Sequence, residues 1–402
     1  MKSLAKILVF VLAVVTAFAF TACSDKESDK SKQLGYAFEV DSEVVDTTEE
    51  GAAEKTSKKV LTIKGFFVGQ GTLDKLENDE IEKLDLVIGG TGDNGKFNVY
   101  DSVKGDFQFG DDGNASKTDN FDEYDEIVID KDAFSNQTYL GTVELTDKVV
   151  KVGEASFAGC SNITKMTLPF VGTEKDAINA GKTFASIFGG TEVTGCTSVS
   201  VSYNASGSST YYVPSGLTEI VVNFAEENTE LNSYAFNGLT TVEKVVLKNV
   251  VELGTSAFEG CTSLKNVEFD NVAALRIIGK AAFKGCTSLY GMNLSEFAGL
   301  EMVYQEAFSG CTRLGLGFAV VKLPGASYME KAFAGCTTLK TLDLSDANYI
   351  GESCFNGCTS LESLTPPGAS GHVENGAFLG CTKLIDNGTV DELGNLPLTP
   401  LS

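Results

Sequence analysis

A chain of 402 residues with 55 acidic and 31 basic side chains carries a formal charge of -24, and it contains no Trp and one His. Tracking a phosphate backbone needs clustered Lys and Arg, so this charge balance excludes nucleic acid as a partner. The length alone allows two or three ordinary domains, but a repeat array grows by adding coils, and the repeats below point to one elongated domain with caps.

Residues 1–22 read as an export signal: Lys2 and Lys6 at the start, an apolar run from Ile7 to Phe20, then small residues before Cys23. The run falls short of the roughly 20 residues that span a bilayer as a retained helix. Phe20-Thr21-Ala22-Cys23 resembles a bacterial lipobox, with Phe where Leu is commoner, so Cys23 is expected to be acylated and to become the new N-terminus. Acyl chains are worth about 0.8 kcal/mol per buried methylene, enough for several of them to hold the protein on a membrane. Membrane contact is therefore expected through the lipid anchor only. Ser24 follows the cysteine, so the Asp of an enterobacterial inner-membrane retention signal is missing, and an outer-membrane, surface-exposed position is expected.

From Cys23 to about Lys59 the residues are mostly Ser, Asp, Glu, Lys and Thr, a composition that reads as a flexible tether. Residues 60–130 read as an acidic β-rich cap, with strand-like runs at Val60–Phe67, Leu84–Ile88 and Ile127–Ile129 between Gly, Asp and Asn turns. Two loops there, Asp93-Asn94-Gly95 and Asp111-Asp112-Gly113-Asn114, cluster oxygen ligands. Neither has the twelve-residue spacing of an EF-hand, so they read as solvated turns, and neither metal nor cofactor is expected.

Residues 131–395 are built on one phrase: a small residue, Phe, any residue, Gly-Cys-Thr, any residue, an aliphatic. It runs from Ala257 to Leu264, Ala282 to Leu289, Ala307 to Leu314, Ala332 to Leu339, Cys354 to Leu361 and Ala377 to Leu384. Cys261, Cys286, Cys311, Cys336, Cys358 and Cys381 follow at steps of 25, 25, 25, 22 and 23 residues, within the range of leucine-rich repeats. Looser copies at Phe134, Phe157 and Phe236 bring the anchor phenylalanines to nine, with Phe258, Phe283, Phe308, Phe333, Phe355 and Phe378. Losing one to Ala costs on the order of 3–5 kcal/mol if it fills the coil interior, so the set reads as a core stack. The register breaks at about 170–215, where one coil plus an excursion is expected; insertions in solenoids often carry function. Tyr203, Tyr211 and Tyr212 lie there, as contact residues or as packing. Residues 396–402 form a tail.

After each phrase comes an alternating run such as Leu264-Lys265-Asn266-Val267-Glu268-Phe269, which predicts strands pairing into a parallel β ribbon. Its outward positions are Lys165, Thr167, Lys244, Val246, Asn266, Glu268, Asn293, Lys322, Thr341, Asp343, Ser363 and Thr365. They contain no aromatic anchor, and strong interfaces centre on Trp, Tyr or Arg, so this face predicts weak or multivalent contact.

With this phrase the chain resembles the BspA-type leucine-rich repeat family of bacterial and protist surface proteins, over roughly residues 132–385. The resemblance implies a curved repeat solenoid, here preceded by the β-rich cap, used for attachment to host proteins or to other cells.

The remaining chemistry is sparse. Eight Gly-Cys pairs include no Cys-x-x-Cys, so zinc is not indicated. Stacked cysteines point their Cβ atoms in parallel, which favours buried thiols over disulfides, with a Cys354–Cys358 bridge as the alternative. His372 has no nucleophile elbow beside it. A non-enzymatic surface lipoprotein is the expected function; a coat protein without a defined ligand and a periplasm-facing hydrolase or sugar-binding component are the alternatives.

Overall fold

The computed structural model describes residues 36–47, 56–68, 73, 83–91, 96–101, 106–107, 118–175, 177, 179–226 and 229–397. The signal segment, Cys23 and both acidic loops lie outside the described residues.

The chain winds as a parallel β-solenoid, and the anchor phrase shapes each coil. Two residues before the anchor Phe, the backbone enters the left-handed region: Asp132, Ala155, Tyr234, Ser256, Ala281, Glu306, Lys331 and Ser353 have φ between 53° and 65°. Two residues after it, a Gly such as Gly260 has φ 77°. A Cβ there would meet only ordinary contacts at 3.8 Å, so it is the dihedral that calls for Gly. These reversals turn the chain tightly around the phenyl ring. The N–H of the anchor Phe then donates to the small residue of the next coil, as from Phe283 to the Ala307 carbonyl at 2.7 Å, except that Phe157 donates to Ile187 of the insertion and the last, Phe378, to the closing turn.

The rings stack as the sequence predicts. Centroids from Phe236 through Phe258, Phe283, Phe308, Phe333 and Phe355 to Phe378 are 5.1–5.3 Å apart, with planes within 13°. Phe134 and Phe157 stack at 5.0 Å. Beside them each thiol donates back one coil, for example Cys286 Sγ to the Phe258 carbonyl at 3.0 Å and Cys381 Sγ to Phe355 at 3.1 Å. All nine described cysteines are free thiols, Cys354 and Cys358 included, and eight are buried.

Two ribbons flank the stack, where one was expected. The first follows the phrase and joins Leu84–Ile88, Leu140–Leu145, Lys165–Leu168, Glu219–Asn223, Lys244–Lys248 and Asn266–Phe269; Val321–Lys322, Thr341–Asp343 and Ser363–Thr365 form a separate continuation. The second precedes the phrase and joins Thr229–Leu231, Val250–Leu253, Ile277–Ile278, Met302–Val303, Ser327–Tyr328, Tyr349–Ile350 and His372–Val373. Its strands are as short as two residues, too brief to show an alternation in sequence.

The β-rich N-terminal region precedes the array as expected, and its strands join the ribbons. Leu84–Ile88 begins the first ribbon, and Ser57–Val68 pairs in parallel with Glu126–Ile129 on the line of the second. Phe66 meets Phe134 at 5.4 Å and so starts the ring stack. The tether expected up to Lys59 is corrected in part: Tyr36–Asp46 is a strand, antiparallel to Ser57–Val68, and Phe38 is fully buried between Phe66 and Phe121. A register shift interrupts the pairing between Glu39 and Val40. At the other end a turn closes the stack, with the Phe378 N–H donating to the Gly394 carbonyl and the Gly376 N–H to Asn395 Oδ1. Leu396, placed in the tail by sequence, packs on the core.

Across the insertion the first ribbon runs on unbroken, with Lys165 beside Glu219. Phe184 takes the anchor slot, 5.7 Å from Phe236. The excursion is an antiparallel hairpin, Cys196–Ser202 with Ser208–Pro214. Its apolar face, Val199, Val201, Tyr211 and Val213, is buried.

Candidate interaction surfaces

Much of the outward face of the first ribbon is paired with itself. Lys165 meets Glu219 at 3.1 Å, Lys244 meets Glu268 at 2.9 Å, and Lys322 meets Asp346 at 2.9 Å. Val246 and Thr167 are half-buried among these side chains. Asp343 accepts the Ser345 N–H, and that bond holds its carboxyl below the usual range. Thr341, Ser363 and Thr365 line the separate three-stranded piece beside it.

The ribbon breaks at Asn293, one of the outward positions, which caps a 3-10 turn instead of sitting in a strand. Its Oδ1 accepts from the Ser295 hydroxyl at 2.8 Å, its Nδ2 donates to Glu296 Oε1 at 2.7 Å, and Leu294–Glu296 turns away. Among the described residues, Asn266–Phe269 therefore has a strand neighbour on one side only. Phe297 swings in to meet Phe269 at 5.7 Å, nearly perpendicular. A depression of about 230 Å³ results, lined by Asn266, Glu268, Phe269, Val272, Met292, Asn293, Glu296 and Phe297. The Asn266 amide lies over Gly291, where a Cβ would collide with it. So the fold brings together Asn266, Glu268 and Asn293 of the predicted set, with Lys244 against Glu268, and leaves the others elsewhere along the ribbon.

The next coil returns by a longer path. Ten residues separate Cys311 from the inward Val321, against six from Cys336 to Leu342. The surplus forms a loop that leaves Leu316 45% and Val320 50% exposed. One coil earlier, Tyr290 is 39% exposed, with the Arg313 guanidinium 5.5 Å from its ring centroid. Sequence reasoning missed these residues together with Glu296, Phe269 and Phe297. The signal was present in the lengthened Cys-to-aliphatic spacing.

The second ribbon aligns Glu230, Glu252, Ile277, Met302, Ser327, Tyr349 and His372 outward, one per coil. Here are the aromatics the first ribbon lacks. His372 stacks on Tyr349 with centroids 5.7 Å apart, and its Nε2 lies 3.2 Å from Glu374. Arg276 grips Glu301 with two bonds, at 2.8 and 3.1 Å.

Of the insertion tyrosines, Tyr211 is 4% exposed and belongs to the core, which corrects its place among contact candidates. Tyr212 is half-buried, and Tyr203 covers Gly207 at the hairpin turn. The thiol ladder is chemically quiet: burial pushes Cys160 up to about 12, and Cys311 and Cys354 higher still. Among the described residues no three His, Cys, Asp or Glu side chains stand where they could hold a metal ion.

A model of the BspA type leucine rich repeat region matches in six copies over residues 122–186, 205–316 and 325–392, well over half of the chain. The chain belongs to the BspA-type leucine-rich repeat family. Solved structures similar to this BspA-type chain include the leucine rich repeat protein of T. pallidum, 27% identical with a TM-score of 0.35, covering 43% of this chain and 79% of that one. A leucine rich cell surface protein from Faecalibacterium prausnitzii is 16% identical, TM-score 0.27, over 80% and 96% of the two chains. A leucine-rich repeat protein from Eubacterium ventriosum is 16% identical, TM-score 0.37, over 90% and 98%. No curated protein matches. Among the described residues no helix is long and apolar enough to cross a membrane. Repeat proteins of this kind present extended faces suited to contact with other proteins.

Proposed function

We propose that this is a surface-displayed lipoprotein, held to a bacterial outer membrane through acylated Cys23, whose solenoid contacts proteins of a host or of neighbouring cells without chemistry of its own. The observation that carries the contact reading is the break in the first ribbon. A face that is otherwise self-paired there offers a depression, with an exposed Tyr-Arg pair and a loop of exposed aliphatics in the coils that follow. Aromatic and Arg side chains are the usual centres of protein interfaces.

Two measurements test it. Protease applied to intact cells, followed with an antibody against the repeats, should remove the solenoid; protection until the envelope is permeabilised would refute surface display. The purified protein should then bind a surface-protein fraction saturably, and replacing Glu268, Asn293 and Asp343 together should weaken that binding while the domain stays folded, with a melting transition lowered by the lost turn cap. A coat protein without a ligand is the second reading, favoured by the cross-coil pairs Lys165–Glu219 and Lys322–Asp346, which leave the surface satisfied by itself. It predicts no saturation.

A further inference from the structure

The depression at the ribbon break has a chemistry more specific than protein contact in general. Glu268 stands on one wall, at the end of an uninterrupted run of strands, and Glu296 on the other, at the end of the 3-10 turn. Among the described residues one cation serves the pair: Lys244 reaches Glu268 Oε2, while the Oε1 atoms of Glu268 and Glu296 accept from the amides of Asn266 and Asn293. A negative charge is left over, in a molecule whose formal charge is already -24. An incoming acid is repelled here and a cation is drawn in.

The walls also favour one kind of cation. Phe269 is partly exposed beside the carboxylates, with Phe297 edge-on to it and Val272 and Met292 adjacent. A long alkyl stem ending in an ammonium or guanidinium group fits such a surface, with the stem on the apolar wall and the charge over an aromatic face or between the carboxylates. At about 230 Å³ the depression is smaller than the roughly 300–1,000 Å³ of pockets that take whole small molecules. It suits one side chain. The next coil still lies along Asn266–Phe269, with the Gly291 N–H on the Lys265 carbonyl and Phe297 on Phe269, so the floor of the depression is closed and only its outward mouth is open.

We infer that this depression receives a lysine or arginine side chain of the protein partner; the inference rests on the contact reading above and names the partner's chemistry. The Lys244–Glu268 pair is exposed and weak, so exchange of Glu268 onto the incoming cation costs little.

The test uses the whole protein and a short labelled peptide of alternating lysine and valine, with an alternating glutamate and valine peptide as control. The basic peptide should saturate one site, and Glu268→Gln and Glu296→Gln should each weaken it about fivefold, the size of an exposed charge pair. Phe269→Leu should weaken it with the net charge unchanged. A matched pair on the other ribbon, Glu230→Gln and Glu252→Gln, should leave it unchanged. Equal weakening by both pairs, or no saturation, overturns the inference, since general charge attraction would then account for the binding. Thermal melts of each variant separate lost binding from lost fold. Surface-protein capture that persists in Glu268→Gln/Glu296→Gln also overturns the depression and leaves protein contact standing, whereas protease protection on intact cells strikes at surface display alone.

Discussion

Each ribbon is broken once, and the two breaks differ. The line of the second ribbon stops after Val149–Val152, where the insertion enters, and resumes at Thr229–Leu231. The first ribbon crosses that point intact and stops instead at Asn266–Phe269. The anchor stack responds differently as well. At the insertion Phe184 replaces the regular anchor at a tilt of 40° to Phe236, whereas beside the second break Phe283 and Phe308 remain 5.2 Å apart and nearly parallel. The rings and the ladder of bonds beside them therefore hold the coils, and the ribbons are free to lapse where a surface of another shape is made.

The largest effect that sharpens this contrast should come from the stack. Phe308→Ala opens a cavity in a closed column and should cost about 3–5 kcal/mol, with amide exchange rising first in the neighbouring coils. Thr341→Ala, on a ribbon, should stay within about 0.5 kcal/mol. A comparable loss from both would remove the distinction.

Next comes the thiol ladder. Cys286→Ala removes the buried sulfur and its bond to the Phe258 carbonyl, which keeps the Cys261 N–H, and should cost about 0.5–1.5 kcal/mol in urea unfolding. In the folded protein Cys196, the one described thiol that is not buried, should react with an alkylating reagent ahead of the ladder.

Smaller, and opposite in sign, is the effect expected at the left-handed position. Lys331 has φ 57°, so Lys331→Gly should relieve strain and stabilise the protein by about 0.5–1 kcal/mol. The smallest effect concerns pH. Lys284 holds Glu306 below the usual carboxylate range, so the pair stabilises the fold above that range and the contribution fades as pH falls through it. Both side chains are partly exposed, so Glu306→Gln should remove only a few tenths of a kcal/mol of acid sensitivity.

The coil was legible in the sequence because its determinants are local: Phe, Gly and Cys recur at fixed offsets, and each offset is a dihedral or a packing position. The second ribbon was not, since strands such as Ile277–Ile278 and Met302–Val303 are too short for period-2 alternation. Tyr36–Asp46 was hidden for another reason: apart from Phe38 and Val40, its side chains in the second half of the strand face solvent, so its composition is that of a tether. The outward face could be listed by parity. Parity does not show that Lys244 and Glu268, on consecutive coils, satisfy each other, nor that an Asn followed by Ser and Glu would cap a turn in place of extending a strand.

The ring spacing has a further consequence for what this architecture supplies. Successive anchors from Phe258 to Phe333 are 25 residues apart in the chain and advance 5.1–5.2 Å in space. The same 25 residues drawn out straight would reach roughly 80 Å. As a stalk the array is therefore a poor use of chain; its yield is lateral area, and a copy gained or lost by duplication or deletion adds or removes the outward face of one coil while shifting the far end of the stack by only 5.1–5.2 Å.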